Sequence, residues 1–390
     1  MDQFNKKLGY YKCGEKEFES KIQAFFYSLE SKSQVEWIFN DAVFKSYDWK
    51  VEPTFTLDEL YNQRARDLRE KYDYLILCYS GGADSHNILM AFLRQGLVID
   101  ELLINTLEKG WTKFIDVSGT NKDSKNTGAE HYLQTLPRLK ELENQLPRTK
   151  ITICDLTDFV FDYYSSEKQD LWFLNKKESL NPLGASRFNF LHVPEVRKRI
   201  DKQKSIGVII GIDKPKCIIH HEKFYTRFTD RTANIISITD YFTDYDNTTA
   251  EFFYWSPDAV PLLIKQAHVL KKWVEANTHL HRHWDSRTIN HKIMRTLHEQ
   301  EVRSVIYSTW NDNWFQVDKA VKDWYSEFDH WFIEGNKDTR ANHNWQQSIN
   351  YVEQSLGQFA KVDEETQRSD GLQVFQKNYL IGDFKRAVRD

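Results

Sequence analysis

The sequence predicts an α/β protein built on a doubly wound parallel sheet, with a helical N-terminal segment and a helical C-terminal domain. Four short apolar runs carry this prediction, because such runs are typical of strands buried on both faces of a parallel sheet. Helical segments separate the runs, and that alternation indicates right-handed crossovers between parallel strands. The runs occupy residues 74–79, 102–104, 150–154 and 206–211.

Residues 1–70 are expected to form the helical N-terminal segment. Apolar residues at helical spacing run through residues 16–29, and a polar helix is expected over residues 57–71. Pro53 separates the two, because proline interrupts a helix interior.

The central domain is expected to span residues 71–256 and to contain the four apolar runs. After the last run the pattern changes to the alternation that is typical of antiparallel strands, over residues 217–228 and 235–242. With a short strand at 252–255, these segments predict a small antiparallel addition over residues 217–256 at the edge of the main sheet. Residues 257–390 are expected to form the helical C-terminal domain, with helices over 259–277, 290–300, 314–332 and 342–359.

Composition excludes several classes of protein. The chain of 390 residues has a net charge of −4, which argues against a surface that grips nucleic acid throughout. A basic helix over 194–204 still leaves a tRNA partner open. No stretch approaches the 18 or so apolar residues that cross a membrane. The four cysteines are far apart, which excludes a four-cysteine zinc site and favours a reducing, cytoplasmic compartment.

The most informative segment joins the first apolar run to the helix after it, and reads Ser80-Gly81-Gly82-Ala83-Asp84-Ser85. The two glycines allow the backbone to turn sharply and to approach an anion without an intervening Cβ. N–H groups of the turn and of the first helical turn would point at that anion. A carboxylate beside a phosphate is costly unless a cation lies between them, so Asp84 indicates Mg²⁺ or a strained contact that catalysis uses. The alternative is an ordinary strand–turn–helix in which Ser and Asp side chains cap the helix.

These six residues match the SGGxDS signature of the PP-loop, or N-type, ATP pyrophosphatases, which the chain resembles over residues 72–215. The resemblance implies an adenine nucleotide alpha hydrolase-like sheet and cleavage of ATP between its α- and β-phosphates. AMP would then activate a carbonyl or carboxylate until a nitrogen or sulfur nucleophile displaces it. The helical remainder is most similar to uncharacterised PP-loop proteins of large phages, and the subfamily is unresolved.

Transferred through the motif, Ser80, Gly81, Gly82, Asp84 and Ser85 would hold the β- and γ-phosphates of ATP, with Ala83 among them. The adenine would lie near the end of the second strand, at Ile104, Asn105 and Thr106. Asp84 would be both a catalytic residue and a ligand of Mg²⁺.

A second loop, Gly211-Ile212-Asp213-Lys214, follows the fourth apolar run. Because parallel strands end at the same edge of a sheet, this loop is expected beside the first one. Lys214 would neutralise the α-phosphate during adenylation, and Asp213 would hold Mg²⁺. The alternative is a Gly-Asp turn followed by a solvated lysine.

Three further residues are candidates for substrate binding. Arg187 lies in a long connection and has the planar fork that suits phosphate or carboxylate groups. Lys265 and His268 are three residues apart, and therefore share one face of the expected helix. A surface loop and an ordinary helix surface are the alternatives.

The leading functional hypothesis is an enzyme that adenylates a small-molecule or nucleobase substrate and then transfers a nitrogen nucleophile to it. Ammonia would come from solution or from a partner protein, and a homodimer is compatible with the superfamily. The second hypothesis is a sulfur-transferring enzyme, for which Cys217 is the best-placed cysteine. The third is a regulator that binds ATP without turning it over.

Overall fold

The computed structural model describes residues 6–111, 128, 130–165, 193–228, 230, 247–277, 284, 301–313, 330–359, 362–363, 368–369, 374 and 377–385. Arg187, the expected strand at 235–242, the expected helix at 290–300 and most of the expected helix at 314–332 lie outside them.

The strands of the described residues are β1 (Tyr10–Cys13), β2 (Lys16–Phe18), β3 (Val35–Ile38), β4 (Tyr74–Cys78), β5 (Glu101–Thr106), β6 (Lys150–Asp155), β7 (Ile206–Ile210), β8 (Lys216–His220), β9 (Lys223–Arg227), β10 (Thr248–Phe252), β11 (Val362–Asp363), β12 (Arg368–Ser369) and β13 (Tyr379–Asp383).

The α-helices are α1 (Lys21–Ser31), α2 (Asp41–Lys45), α3 (Leu57–Lys71), α4 (Ala83–Arg94), α5 (Glu108–Trp111), α6 (Leu136–Leu142), α7 (Thr157–Ser165), α8 (Pro194–Ile200), α9 (Val260–Ala276), α10 (His330–Ile333) and α11 (Arg340–Leu356). Residues 301–306 are also helical. A π-helical turn, His131–Thr135, leads directly into α6.

The main sheet has five parallel strands in the order β10-β7-β4-β5-β6. The four apolar runs of the sequence form β4, β5, β6 and β7, so the predicted α/β class with a parallel sheet is confirmed. Strand β7 is buried along its whole length, as the uninterrupted apolar run predicts. The chain runs outward from β4 through β5 to β6 and then returns to the other side of β4. The strand order therefore reverses at the boundary between β4 and β7, where open α/β sheets bind their ligands.

Strand β10 corrects the expected antiparallel addition over residues 217–256. The short strand predicted at 252–255 is instead Thr248–Phe252, and it pairs in parallel with β7 as the fifth strand of the main sheet. The sequence does not predict this strand in full because a charged residue, Glu251, lies within it. The side chain of Glu251 is nevertheless fully buried. The alternation of strands and helices thus extends one strand further than the apolar runs indicate.

Glu251 is tolerated because cations from distant parts of the chain surround it. Its carboxylate accepts from Lys7 at 3.1 Å, Arg64 at 3.1 Å and Lys71 at 2.7 Å. Burial acts to raise the pKa of Glu251, but the charges of Lys7 and Arg64 outweigh it and bring the pKa to about 2. The network ties the N-terminus and α3 to the edge of the main sheet.

The N-terminal segment was expected to be helical, and that expectation is wrong in part. Strands β1, β2 and β3 form an antiparallel sheet in the order β2-β1-β3. The apolar stripe expected over residues 16–29 is split: Phe18 belongs to β2, and the helix α1 begins at Lys21. The hydroxyl of Ser20 accepts from the backbone N–H of Gln23, which caps the helix at that point. The polar helix α3 forms as predicted, with a capping box at Thr56 and Glu59.

The expectation that residues 257–390 are helical is also wrong in part, because they contain β11, β12 and β13. Strands β8 and β9 form the expected antiparallel hairpin, but they do not extend the edge of the main sheet. They form a separate sheet with β13, in the order β13-β9-β8. Side chains of β13 and of the next residue are buried, at Tyr379, Ile381 and Phe384. Burial of these apolar side chains stabilises the pairing of β13 with β9.

An aromatic cluster joins the three parts of the chain. The ring of Phe228, after β9, stacks on Phe44 of α2 at 4.8 Å and meets Trp255, after β10, at 5.0 Å. Trp49 stacks on Tyr379 of β13 at 4.5 Å. Large rings therefore supply much of the core, as the aromatic content of 14% predicts.

No helix within the described ranges is both long enough and apolar enough to cross a membrane.

Candidate functional site

The loop Ser80–Ser85 leaves the carboxyl end of β4 and enters α4. Gly81 has φ +71°, in the left-handed region that glycine adopts without strain. A Cβ at Gly81 would lie 2.6 Å from the Cα of Thr135, so the loop also packs too closely on the π-helical turn for a side chain. Both observations explain why a glycine follows the exposed Ser80.

The π-helical turn and the start of α6 hold this loop from behind. Thr135 donates its hydroxyl to the carbonyl of Ser80 at 2.6 Å, and Gln134 donates to the carbonyl of Gly81 at 2.7 Å. The buried Arg138 also donates to the carbonyl of Gly81. These hydrogen bonds hold the loop against the π-helical turn and α6 through its carbonyl groups.

Helix α4 begins without a side-chain cap, because its N-cap residue is Gly82. The hydroxyl of Ser80 accepts from the N–H of Gly82 at 3.3 Å, and the hydroxyl of Ser85 donates to the carbonyl of Gly82 at 3.1 Å. Neither serine therefore caps the helix, which argues against the capping interpretation of the motif. The first N–H groups of an α-helix have no intrahelical acceptor, so this end of α4 is suited to an anion.

Asp84 is the charged centre of the site. Tyr307 donates to its Oδ1 at 2.7 Å, and Arg303 Nη2 lies 3.1 Å from its Oδ2. Burial acts to raise the pKa of Asp84, but the charges of Arg303 and Lys214 outweigh it and leave the pKa below its ordinary value. Tyr254, which follows β10, donates to the backbone carbonyl of Asp84 at 2.8 Å.

The second loop lies against the first, as predicted from the shared edge of the sheet. A Cβ at Gly211 would be 3.5 Å from both the Cβ of Asp84 and the backbone nitrogen of Ser85. The ammonium of the buried Lys214 is 3.0 Å from Asp213 Oδ1 and 3.9 Å from Asp84 Oδ2. Lys214 is therefore not a solvated lysine: it bridges the two predicted catalytic carboxylates.

Among the described residues, two carboxylates of this site, those of Asp84 and Asp213, could bind a magnesium ion. Within the described ranges, no three His, Cys, Asp or Glu side chains are grouped as a metal site. Magnesium is usually held by one or two carboxylates, with phosphate oxygens and water completing its shell. Asp84 and Asp213 therefore fit Mg²⁺ when it arrives together with the phosphates of a nucleotide.

The residues predicted for adenine lie at the end of β5, next to β4 in the sheet. Thr106 is buried and donates its hydroxyl to the carbonyl of Cys154 at 3.3 Å. Asn105 lies beside it and pairs with Cys154 in the strand register. These positions are on the same sheet edge as the two loops, and they would present mainly backbone groups.

The other substrate candidates are not brought to this site. Lys265 pairs with Glu52 at 2.9 Å and donates to the carbonyl of Pro53 at 3.0 Å. The buried His268 ring lies 3.0 Å from the carbonyl of Trp49. Both side chains attach α9 to the segment before α3, so the structure gives them structural partners. Arg187 lies outside the described residues.

Sequence reasoning missed the side chains that complete the site. Arg303 and Tyr307 come from the helical residues 301–306 and the residue after them, about 220 positions from Asp84. Their spacing of four residues places them on one helix face, which was the only available signal. A part-buried carboxylate such as that of Asp84 requires a cation nearby, but the sequence does not tell which residue supplies it.

The basic helix and the cysteines also have structural roles here. In α8, Arg199 pairs with the buried Glu101, and Arg197 pairs with Asp201, so part of the basic run is already neutralised. Cys217 is buried in β8, and burial raises the pKa of its thiol to about 12. Burial likewise raises the pKa of Cys154 to about 11.

Comparison with known proteins returned no relative: no protein-family model matches this chain, and a search of curated proteins gave no significant match.

Proposed function

We propose that this protein is an ATP pyrophosphatase of the PP-loop type, with an adenine nucleotide alpha hydrolase-like fold. It would adenylate a carbonyl or carboxylate of a small-molecule or nucleobase substrate. One observation carries the proposal: the SGGxDS loop leaves β4 at the reversal of strand order and meets the Gly211–Lys214 loop there. That crevice is where open α/β sheets bind nucleotides.

The charges around the crevice support a polyanionic ligand. Lys214, Lys216 and Arg303 face Asp84 and Asp213, so positive charge is in excess among these side chains. The uncapped start of α4 adds its N–H groups to this positive potential. A triphosphate is a better match to such a site than a neutral metabolite.

In the proposed reaction, a substrate oxygen attacks the α-phosphorus of ATP. A new P–O bond forms, the bond to the oxygen that bridges the α- and β-phosphorus breaks, and pyrophosphate leaves with the bonding electrons. A nitrogen nucleophile then attacks the activated carbon, and AMP leaves with the substrate oxygen. Mg²⁺, when bound, supplies neutralisation of phosphate charge.

Each residue has a stated part in that reaction. Ser80 to Ser85 hold the β- and γ-phosphates, mainly through backbone N–H groups and the serine hydroxyls. Lys214 neutralises the charge that develops on the α-phosphate. Asp84 and Asp213 orient the cations, Lys214 included. Thr135, Gln134 and Arg138 are positioning residues because they act through the loop.

The nitrogen route is favoured over sulfur transfer. A sulfur carrier must be an accessible thiolate, and burial keeps Cys217 protonated at neutral pH. A cytoplasmic reaction with ammonia as the nucleophile, free or from a partner protein, fits this proposal. The regulator hypothesis differs from it only in turnover, which is therefore what the experiment must measure.

The test is the fate of ATP labelled in its α-phosphate, incubated with the protein, Mg²⁺ and an extract of small metabolites and tRNA. We expect AMP and pyrophosphate, formed only with the extract, which can then be fractionated to find the substrate. ADP and phosphate would refute the proposal. Tight binding of ATP without any product in any fraction would favour the regulator.

Asp84→Asn tests the role of Asp84 in this reaction, because it removes the negative charge and keeps the size of the side chain. We expect AMP formation to fall about 10²-fold or more, with a folded protein. Asp201→Asn is the control, since Asp201 is half exposed and lies just before β7. It is therefore near the amino ends of the parallel strands, away from the two loops at their carboxyl ends. This variant should retain full activity.

A further inference from the structure

Arg303 and Tyr307, which contact Asp84, belong to the segment 301–313, called the wall below. Hydrogen bonds attach this wall to α3 and α4. Tyr61 of α3 donates to the carbonyl of Ile306 at 2.9 Å, in the buried interior. Ser308 donates to Asp58 at 2.7 Å, and Thr309 donates to Asn87 of α4 at 3.3 Å. The backbone of this wall, residues 301–313, is therefore held in place, and any adjustment near Asp84 falls to side chains.

Two side chains of the wall divide the Asp84 carboxylate between them. Tyr307 takes Oδ1 and Arg303 takes Oδ2. Burial, together with the charge of Asp84, raises the pKa of the Tyr307 phenol well above its ordinary range, so it remains a hydrogen-bond donor. Of the two cations near Oδ2, Arg303 is the more exposed, at 18% of its side chain against 6% for Lys214.

A ligand that occupies Asp84 would change the partner of Arg303. If Asp84 becomes a ligand of the cation that accompanies a nucleotide, its charge is taken up and Arg303 loses this ion pair. Loss of an ion pair is costly for a part-buried guanidinium, and phosphate oxygens match its planar fork. The phosphates would arrive at the start of α4, next to Asp84 itself.

We propose that Arg303 is a phosphate-binding residue that the ligand-free protein keeps on Asp84. Binding of a magnesium-bound polyphosphate moves its guanidinium from Oδ2 of Asp84 to a phosphate oxygen, while the wall stays in place. This proposal rests on the proposed function, because it uses the same loop and the same ligand class. It assigns to the helical segment a direct part in binding.

The test measures binding rather than turnover, with pyrophosphate and Mg²⁺ titrated into the full chain by calorimetry. Arg303→Gln should weaken binding about 10- to 100-fold, the worth of a charge-assisted hydrogen bond. Arg303→Lys should fall between this variant and the wild type, because lysine keeps the charge without the fork.

Arg94→Gln is the matched control. Arg94 hydrogen-bonds Ser308 at 3.1 Å and pairs with Asp58, so its loss loosens the same wall without touching Asp84. It should lower the melting temperature and leave pyrophosphate affinity within about twofold. If Arg94→Gln weakened binding as much as Arg303→Gln does, Arg303 would be a structural support and the proposal would be wrong.

A second arm uses pyrophosphate without metal. In Asp84→Asn the side chain that pairs with Arg303 in the ligand-free protein is neutral. Metal-free pyrophosphate should therefore bind this variant more tightly than it binds the wild type. Adding Arg303→Gln should weaken that binding at least tenfold, because the guanidinium released from Asp84 makes the contact with pyrophosphate. An unchanged affinity in the double variant would overturn the proposal.

Failure of the proposed function and failure of the proposed role of Arg303 give different results. If the wild type binds neither ATP nor pyrophosphate, the proposed function fails and this inference fails with it. If the wild type binds and Arg303→Gln binds equally well or better, only the role of Arg303 is refuted.

Discussion

Replacing Gly81 by alanine tests whether the loop conformation seen here is the one the protein uses. At φ +71° an alanine is strained, and its Cβ would lie 2.6 Å from the backbone Cα of Thr135. The clash is with backbone, which cannot rotate away as a side chain can. The loop or the π-helical turn must therefore move.

The magnitude has two parts, and a second glycine of the chain separates them. The left-handed conformation costs a non-glycine residue about 1–2 kcal/mol. Forcing an extra carbon into a packed site adds about 1–3 kcal/mol. Gly96, after the other end of α4, has φ +63° but no heavy atom within 4 Å of an added Cβ. Gly96→Ala should therefore lower the free energy of unfolding only by the conformational cost, about 1–2 kcal/mol. Gly81→Ala should lower it by the sum of both costs, about 2–5 kcal/mol.

The assay is urea unfolding of both variants, followed by tryptophan fluorescence and compared with the wild type. Pyrophosphate binding provides a second measurement: Gly96→Ala should bind normally, while Gly81→Ala should bind about tenfold more weakly or worse, because its N–H groups are displaced. Equal losses of stability in the two variants would refute the close contact with Thr135. Normal binding by Gly81→Ala would refute the role of this loop.

Two further predictions concern buried groups outside the loop. Because the pKa of Glu251 is lowered from 4.5 to about 2 in the fold, its ionisation contributes about 3 kcal/mol to stability above pH 5. That contribution disappears as the pH falls from about 5 towards 2, so the melting temperature of the wild type should fall more steeply over this interval than that of Glu251→Gln; parallel curves would contradict the assignment. Cys217→Ser should retain AMP formation, since burial holds the thiol pKa near 12; a loss of about 10²-fold with an unchanged melting temperature would instead favour sulfur transfer through that residue.

The central sheet was predictable because its signal is local. Each of β4 to β7 coincides with a short apolar run. Strands β4, β5 and β7 are largely buried, as such runs predict, whereas β6 is the edge strand and is largely exposed. Ser80 to Ser85 were recognisable for the same reason, since the two glycines, the serines and Asp84 are consecutive. The meeting of the two loops also followed from the sequence, because parallel strands end at one edge of a sheet.

Strand β10 shows the limit of such local reasoning. Its sequence, Thr-Thr-Ala-Glu-Phe, does not form an apolar run, because Glu251 interrupts it. Lys7, Arg64 and Lys71 make that charge acceptable, and they lie between 180 and 244 positions away in the chain. Only the folded arrangement brings these cations together, so the fifth parallel strand could not be found from its own residues.

The sequence by itself determined the parallel α/β core and the glycine turn between β4 and α4, since both depend on neighbouring residues. The tertiary structure decided that β13 joins the β8–β9 hairpin and that α1 lies between β2 and β3 of a short antiparallel sheet. The tertiary structure also decided which cations neutralise Asp84, namely Arg303 and Lys214. Arg303 and Tyr307 reach that carboxylate because α3 and α4 hold residues 301–313 against it. Local sequence carries no record of such contacts, because the energy of an ion pair depends on where distant parts of the chain come to lie.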